Sequence, residues 1–400
     1  MGPSAPQPSA GGSVLEVELS VVIPCLNEAD TIGTCVAKAL ETMRNDGIAG
    51  EVVVADNGST DGSQEISRRL GARVVPVPER GYGNALMGGI RSARGRYVIM
   101  GDADDSYDFR EIPRYLEALR GGASLAQGCR LPSGGGRVLP GAMPFSHRWI
   151  GNPVLSFLAR LMFRIPIHDI YCGMRGFTKE LFERLDLRST GMEFATEMVI
   201  KSAIFRERIA EVPTTLHRDG RIAHPPHLRT FRDGWRTLRF FLLFSPKWLF
   251  LYPGAVLLLG GTLWYLMALA SARVGPMTLG LNSLLVASFA VMLGQQMVIF
   301  AIVSRTLAEN QGLLPPSVML GTFYRHVTLE KGAILGLALV ATGLSLIGMV
   351  GWHWIRAGFP ELDYPVYLPK VITGVLLSAM GIQTLSSSFF VSALGLARRR

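Results

Sequence analysis

The chain reads as two units: an α/β domain built on a mostly parallel, Rossmann-like sheet, then an all-α transmembrane domain of four helices. Three observations carry this. Short apolar strands alternate with amphipathic helices through the first half. Four long uncharged apolar stretches follow in series in the second. The 400 residues are 48% hydrophobic and only 18% charged, and charge thins from Trp248 onward, as in a chain partly immersed in lipid.

Residues 1–14 are rich in Pro, Ser and Gly, which predicts a disordered lead-in. They contain neither a basic n-region nor an apolar h-region, so no secretory signal is expected. Residues 15–228 form the α/β domain. "ELSVVIP" is a buried strand ending at Pro24. Ile32, Val36, Ala39, Leu40 and Met43 share one face of the helix that follows. "EVVVA" is a second strand, followed by a helix with Ile66 and Leu70 inward, and "ARVVPV" is a third. "GNALMGGIRSA" is a crossover helix and "RYVIM" a fourth strand. This alternation indicates βαβ units. The four cysteines, Cys25, Cys35, Cys129 and Cys172, form no C-x-x-C pair and have no His cluster nearby, so free thiols are expected.

Ligands of such sheets sit beyond the carboxyl ends of the strands. Asn27 and Glu28 follow the first strand, Asp56 the second, and Asp102 and Asp104 the fourth, so three polar clusters fall on one sheet edge. The stretch "GDADDSYDF" places Asp102, Asp104, Asp105 and Asp108 within seven residues. Such crowding calls for a cation. Oxygen-only ligands suit Mg2+ or Mn2+, which take one or two carboxylates and complete their shell with phosphate and water. Asp102 and Asp104, with Ala103 between them, are the metal candidates, and Asp105 and Asp108 support the loop. An EF-hand lacks its Gly and Glu positions here, no P-loop is present, and "RGYGNALMGG" does not keep G-x-G-x-x-G spacing.

Residues 229–247, "RTFRDGWRTLRFFLLFSPK", put Arg229, Arg232, Arg236 and Arg239 on one helical stripe and Phe231, Trp235, Leu238 and Leu242 on another. That is the pattern of a helix lying in a membrane interface. Its arginines suit lipid headgroups, or a phosphorylated lipid at Arg229 and Arg232. Residues 248–400 form the transmembrane domain, with spans at about 248–271, 277–304, 332–352 and 371–397, each long enough to cross ~30 Å of hydrocarbon. Lys and Arg concentrate before span one, between spans two and three, and after span four. The positive-inside rule then places both termini and the α/β domain in the cytoplasm, expected at a bacterial plasma membrane. The net charge of +9 gathers at these flanks, so a nucleic-acid partner is not expected.

"VVIPCLNEADTI", "VVVADNGSTDGS", "ERGYGNAL" and "GDADDSYDF", with "IHDIYCGMRGF", "MEFATEMVIKS" and "IAEVPTTLHRDGR", resemble the successive motifs of family 2 glycosyltransferases with a GT-A fold. The resemblance is to the polyprenyl-phosphate branch, which includes dolichyl-phosphate mannose synthases and bacterial polyprenyl-phosphate glucosyltransferases. It covers residues 19–228 and implies transfer of a hexose from a nucleotide-sugar, UDP-glucose first and GDP-mannose second, to undecaprenyl or dolichyl phosphate, with inversion. It implies that Pro24, Asn27, Glu28 and Asp56 hold the nucleoside. Asp102 and Asp104 would bind Mg2+ or Mn2+ on the diphosphate, with Asp104 also catalytic. Arg80, Gly81 and Gly83 would line the sugar or phosphate region. Asp169 and Arg175 would face the sugar and acceptor phosphate, Asp169 as a base or orienting group and Arg175 as a phosphate clamp. Arg130 and Arg218 would be further anion contacts, Arg218 toward the acceptor. Asn57 stands where the commoner pattern has a second Asp, and Ser106 where many mannose synthases have a metal-ligating Gln.

Rival readings are a transporter or flippase with a regulatory nucleotide-sugar domain, or a transferase with another acceptor. The spans lack the intramembrane charges that transporters of charged substrates need. The Q-x-x-R-W motif of processive synthases is absent. Oligomeric state is open, a homo-oligomer included.

Overall fold

The computed structural model describes residues 17–221, 230–274 and 277–397. The expected lead-in, residues 1–14, and Arg229 lie outside the described residues. The chain divides into two compact units between Phe241 and Leu242.

The first unit runs β1 (Leu19–Cys25), α1 (Ile32–Asn45), β2 (Gly50–Asp56), α2 (Ser63–Arg69), β3 (Arg73–Pro76), α3 (Tyr82–Ser92) and β4 (Tyr97–Met100). It continues α4 (Ile112–Arg120), β5 (Leu125–Cys129), β6 (Arg137–Val138), α5 (Asn152–Phe163), β7 (Arg175–Thr178), α6 (Lys179–Leu185), α7 (Glu193–Ile204), β8 (Ile209–Pro213) and β9 (Thr215–Leu216). Seven strands form one sheet in the order β3-β2-β1-β4-β7-β5-β8. All neighbours are parallel except β7, which runs antiparallel to both β4 and β5. Every residue of β1 is buried, as expected of a central strand covered on both faces. Ile32, Val36, Ala39 and Met43 of α1 pack into the core, and Leu40 lies at its margin.

The second helix differs from the expectation. α2 ends at Arg69 and buries Ser63 and Ser67, while Leu70 is 42% exposed. Seven residues give too few turns for a full apolar stripe, and small serines let the helix sit close to its neighbours. The four cysteines are free and buried.

The register aligns Cys25 with Asp56, Val22 with Met100, and Met100 and Gln127 with Arg175. The carboxyl ends of β1, β2, β4 and β5 therefore meet the start of β7 at one edge. The chain after β8 returns to that edge. There His217 N donates to Ser106 O and Gly220 N to Asp104 O, both at 2.9 Å.

Helix α8 spans Thr230–Phe244; the Arg232 side chain lies outside the described residues. The second unit holds α9 (Tyr252–Leu269), α10 (Leu281–Asn310), the short α11 (Val318–His326), α12 (Leu329–Arg356) and α13 (Tyr364–Ala397). A wider first turn extends α9 back to Lys247, and four helices are then long and apolar enough to cross a membrane. The second begins at Leu281, not 277, because Met277–Thr278 pairs antiparallel with Arg273–Val274. The third and fourth begin earlier than their uncharged stretches. Thr328 caps α12 by accepting from Lys331 N, and long basic side chains such as Lys331 extend a helix past the hydrocarbon boundary.

In this unit apolar side chains face outward, Val256 at 72% and Leu259 at 71% exposure. That inverts the first unit and suits a lipid surround. Helix pairs close on small residues: Gly336 of α12 packs against Gly381 of α13, and Gly254 of α9 against Gly294 of α10. Gln295 Nε2 donates to Thr384 Oγ1 at 2.9 Å, and Gln383 bonds Gln296, tying α13 to α10. These intramembrane glutamines serve packing.

Candidate active site

The fourth strand delivers its aspartates into a loop whose bonds give each a separate task. The Tyr82 hydroxyl donates to Asp102 Oδ1 at 2.8 Å. Ser106 donates to Asp104 Oδ1 through its backbone N at 3.0 Å and its Oγ at 2.6 Å. One oxygen of each carboxylate is thus held inside the loop. Asp105 takes a left-handed backbone, φ 59°, and pairs with Lys38 at 2.7 Å. Asp108 caps the following turn by accepting from Arg110 N. Desolvation, with Asp104 beside it, pushes the Asp102 carboxyl up to about 6. Desolvation and a neighbouring carboxylate both disfavour the charged form.

Among the described residues no cluster of three or more His, Cys, Asp or Glu is placed to hold a metal. Two carboxylates nonetheless fit a hard cation that takes the rest of its shell from phosphate and water. Asp102 and Asp104 supply the donor chemistry for Mg2+ or Mn2+. Ser106, which orients Asp104, stands behind that pair.

A second group of expected site residues is closed on itself. Asp169 is fully buried, and Arg130 grips it bidentately: Nε to Oδ2 at 2.7 Å and Nη2 to Oδ1 at 3.0 Å. Arg130 N and Tyr171 N donate to the same carboxylate. Burial alone would raise the Asp169 carboxyl, but the Arg130 guanidinium and these hydrogen bonds hold it below its ordinary value. Asp169 and Arg130 thus each already have the other as a partner. Arg175 is also fully buried, donating to the carbonyls of Cys172 and Ala195. Desolvation lowers its pKa. Its place in β7 turns the guanidinium into the protein, where it braces the 172–195 region.

The nucleoside residues divide the same way. Pro24 is buried in β1. Asp56, 2% exposed, accepts from Gly58 N, Ser59 N and Gln64 Nε2 and so organises its own turn. Asn27 sits at φ 58° and accepts from Thr60 N at 2.8 Å, linking the β1 and β2 loops. Asn57, the departure from the common acidic pattern, receives Gly81 N and donates to the Val77 and Glu79 carbonyls. An amide both donates and accepts there, which a carboxylate cannot do. Gly81 has φ 135°, and a Cβ on Gly81 or Gly83 would strike the carbonyls of Thr190 or Ser189. The two glycines thus serve close packing on the 188–190 turn. Glu197 of α7 fixes that turn, accepting from Arg188 N and Ser189 N while paired to Lys201 at 2.8 Å.

Arg80 is exposed at this edge. Arg218 donates to Pro140 O and lines an open cleft of about 530 Å3 with Lys38, Asp105, Leu139, Pro140 and His217. Sequence reasoning missed Tyr82 and Arg221. Arg221 grips Glu28 bidentately, Nε to Oε2 at 2.8 Å and Nη2 to Oε1 at 2.7 Å. Its Nη1 reaches Asp219 Oδ2 at 2.9 Å and Asp104 Oδ2 at 3.3 Å. Their only signals were a tyrosine between Gly81 and Gly83 and a second arginine in "HRDGR".

Residues 20–186 match the family profile described as glycosyl transferase family 2, and residues 302–395 that of the glycosyltransferase family 2 C-terminal transmembrane region. A low-salt glycan biosynthesis hexosyltransferase of Haloferax volcanii, Agl6, is 36% identical over 383 residues, 94% of this chain and 89% of that protein. The chain belongs to glycosyltransferase family 2. It is a membrane member of that family, with a GT-A-like unit ahead of its four apolar helices. A dolichyl-phosphate hexose transferase of the same archaeon is 32% identical over 197 residues, 49% of this chain and 81% of that one. Among solved structures, a glucosyl-3-phosphoglycerate synthase from Mycobacterium tuberculosis with Mn2+, UDP and glucosyl-3-phosphoglycerate is a distant likeness, 21% identical with a TM-score of 0.42 over 56% of this chain and 77% of that one.

Proposed function

We propose that this family 2 glycosyltransferase moves a hexose from a nucleotide-sugar to a polyprenyl phosphate, with inversion at the anomeric carbon. The observation that carries it is the Asp102–Asp104 pair at a strand-end edge, on a chain that also holds a membrane unit. The name of the Haloferax dolichyl-phosphate hexose transferase supports the acceptor class, and that of Agl6 supports a hexose.

The acceptor phosphate oxygen attacks the anomeric carbon and the nucleoside diphosphate departs. A phosphate monoester has a second pKa near ~6, so the nucleophile is already anionic near neutrality and needs no strong base. This suits an edge whose buried carboxylates are already engaged, Asp169 by Arg130, Glu28 by Arg221 and Asp56 by its own turn. Tyr82 and Ser106 fix the rotamers of Asp102 and Asp104. Mg2+ or Mn2+ bound by that pair supplies charge neutralisation for the leaving diphosphate. Asn27 and the Asp56 turn shape the floor for the nucleoside. Arg80 and Arg218, the exposed arginines of the edge, meet the donor and acceptor phosphates. By the bias of Lys and Arg at the helix flanks, this unit faces the cytosol, where nucleotide-sugars are soluble.

The test uses membranes containing the protein, undecaprenyl or dolichyl phosphate, and a panel of labelled nucleotide-sugars. Label from one donor is expected in an organic-extractable lipid, and chelation is expected to stop it. No lipid labelling from any donor, with the protein present and folded, contradicts the proposal.

A further inference from the structure

The segment after β8 lies along the aspartate loop. Besides the two backbone bonds to Ser106 and Asp104, Leu216 forms an antiparallel bridge with Tyr107. A Cβ on Gly220 would come within 3.4 Å of Asp104 O, so the approach is close. This strap carries Arg221, whose side chain is 13% exposed, into the acidic cluster.

Both oxygens of Asp104 thus have a partner. Ser106 holds Oδ1, and Arg221 faces Oδ2. A divalent cation at Asp104 would meet a guanidinium on the same carboxylate, and two close like charges in a partly desolvated site repel. The contacts of Arg221 are unequal. Glu28 and Asp219 hold it at 2.7–2.9 Å, while the Asp104 contact is longer, 3.3 Å. The Asp104 contact is therefore the one that yields.

We propose that Arg221 is a resident counter-cation of this cluster: it neutralises Asp104 in the donor-free protein and exchanges with the divalent cation there, pivoting on Glu28 and Asp219. Arg221 is thus a positioning residue. It keeps the aspartate loop ordered without metal and makes cation entry a competition. The proposal rests on the assignment of Asp102 and Asp104 as the cation site.

The experiment is a Mn2+ titration of the full chain in detergent at pH 7.5, reading free Mn2+ by electron paramagnetic resonance. The proteins are wild type, Arg221→Gln and Arg221→Lys, each with and without Asp104→Asn, and thermal midpoints are recorded in parallel. Arg221→Gln is expected to bind Mn2+ at least about tenfold more tightly, the scale of one close charge pair's coupling. Arg221→Lys, which keeps the charge and loses the fork, is expected to fall between. Asp104→Asn is expected to abolish binding in every background. If Asp104→Asn removes Mn2+ but Arg221→Gln binds no more tightly than wild type, the exchange is wrong and the cation site stands. A lowered thermal midpoint with unchanged Mn2+ affinity likewise makes Arg221 purely structural and overturns the exchange. If no protein binds Mn2+, even with UDP or GDP present, the cation assignment fails and the exchange with it.

Discussion

Asp102 and Asp169 stand at the same edge of one sheet, the first half-buried and the second fully buried, and their carboxyls are displaced in opposite directions. Asp102 is pushed up to about 6 because desolvation and Asp104 both oppose its charge. Asp169 is drawn down because Arg130 and two backbone N–H groups overcome a deeper burial. The difference is a partner. Arg130 binds the Asp169 carboxylate directly, whereas Asp102 receives the Tyr82 hydroxyl and the nearby guanidinium of Arg221 reaches its neighbour Asp104. Burial alone does not set the direction of the shift here; a directly bonded guanidinium does.

The comparison breaks most visibly at the closed pair. Asp169→Asn leaves Arg130 buried and uncompensated, and is expected to cost about 3–5 kcal/mol, read as a lower first thermal transition of the detergent-solubilised protein. Replacing both partners by apolar residues of similar volume is expected to recover most of that loss. At the Asp102–Asp104 pair the sign reverses. Asp102→Asn removes an unpaired repulsion and is expected to stabilise the metal-free protein by about 1–3 kcal/mol at pH 7.5.

The two sites also part on titration. A carboxyl raised in the fold penalises folding when ionised. The gain from Asp102→Asn is therefore present above pH 6 and disappears as pH falls toward the ordinary value of 3.8. Asp169 is lowered, so its contribution is present above 3.8 and is lost as pH falls below it, through the folded value. Unfolding midpoints measured from pH 3 to 8 for both variants check this crossing. The smallest structural effect is expected at Arg80, which is exposed. Arg80→Ala should move stability by no more than about 0.5 kcal/mol while raising the donor KM in steady-state labelling.

The fold was largely legible because periodicity reports burial directly. The mostly apolar β1, the α1 face and four uncharged stretches need no tertiary information. On helix α2 Ile66 packs against the core as read, but Leu70 misled because buried Ser63 and Ser67, which read as polar, fill much of the inward face. The aspartate loop was legible from its crowding and its place after a strand. The partnership of Arg130 with Asp169 was not, because the two lie 39 residues apart and meet only through the order of β5 and β7. The burial of Arg175 was hidden for the same reason: an antiparallel insertion turns its side chain inward, which no local pattern records. Arg221 lies 193 residues from Glu28, so a single arginine in a loop gave no sign that it closes the edge.

The most direct test of the Asp102–Asp104 site is the rate at which labelled hexose enters extractable polyprenyl phosphate, with Asp104→Asn and wild type compared at equal amounts of folded protein and saturating Mn2+. Loss of one preorganised charge-stabilising group costs about 10^2–10^3 in rate, and Asp104→Asn is expected to lose at least that much while remaining folded. Transfer by Asp104→Asn at the wild-type rate would contradict the account.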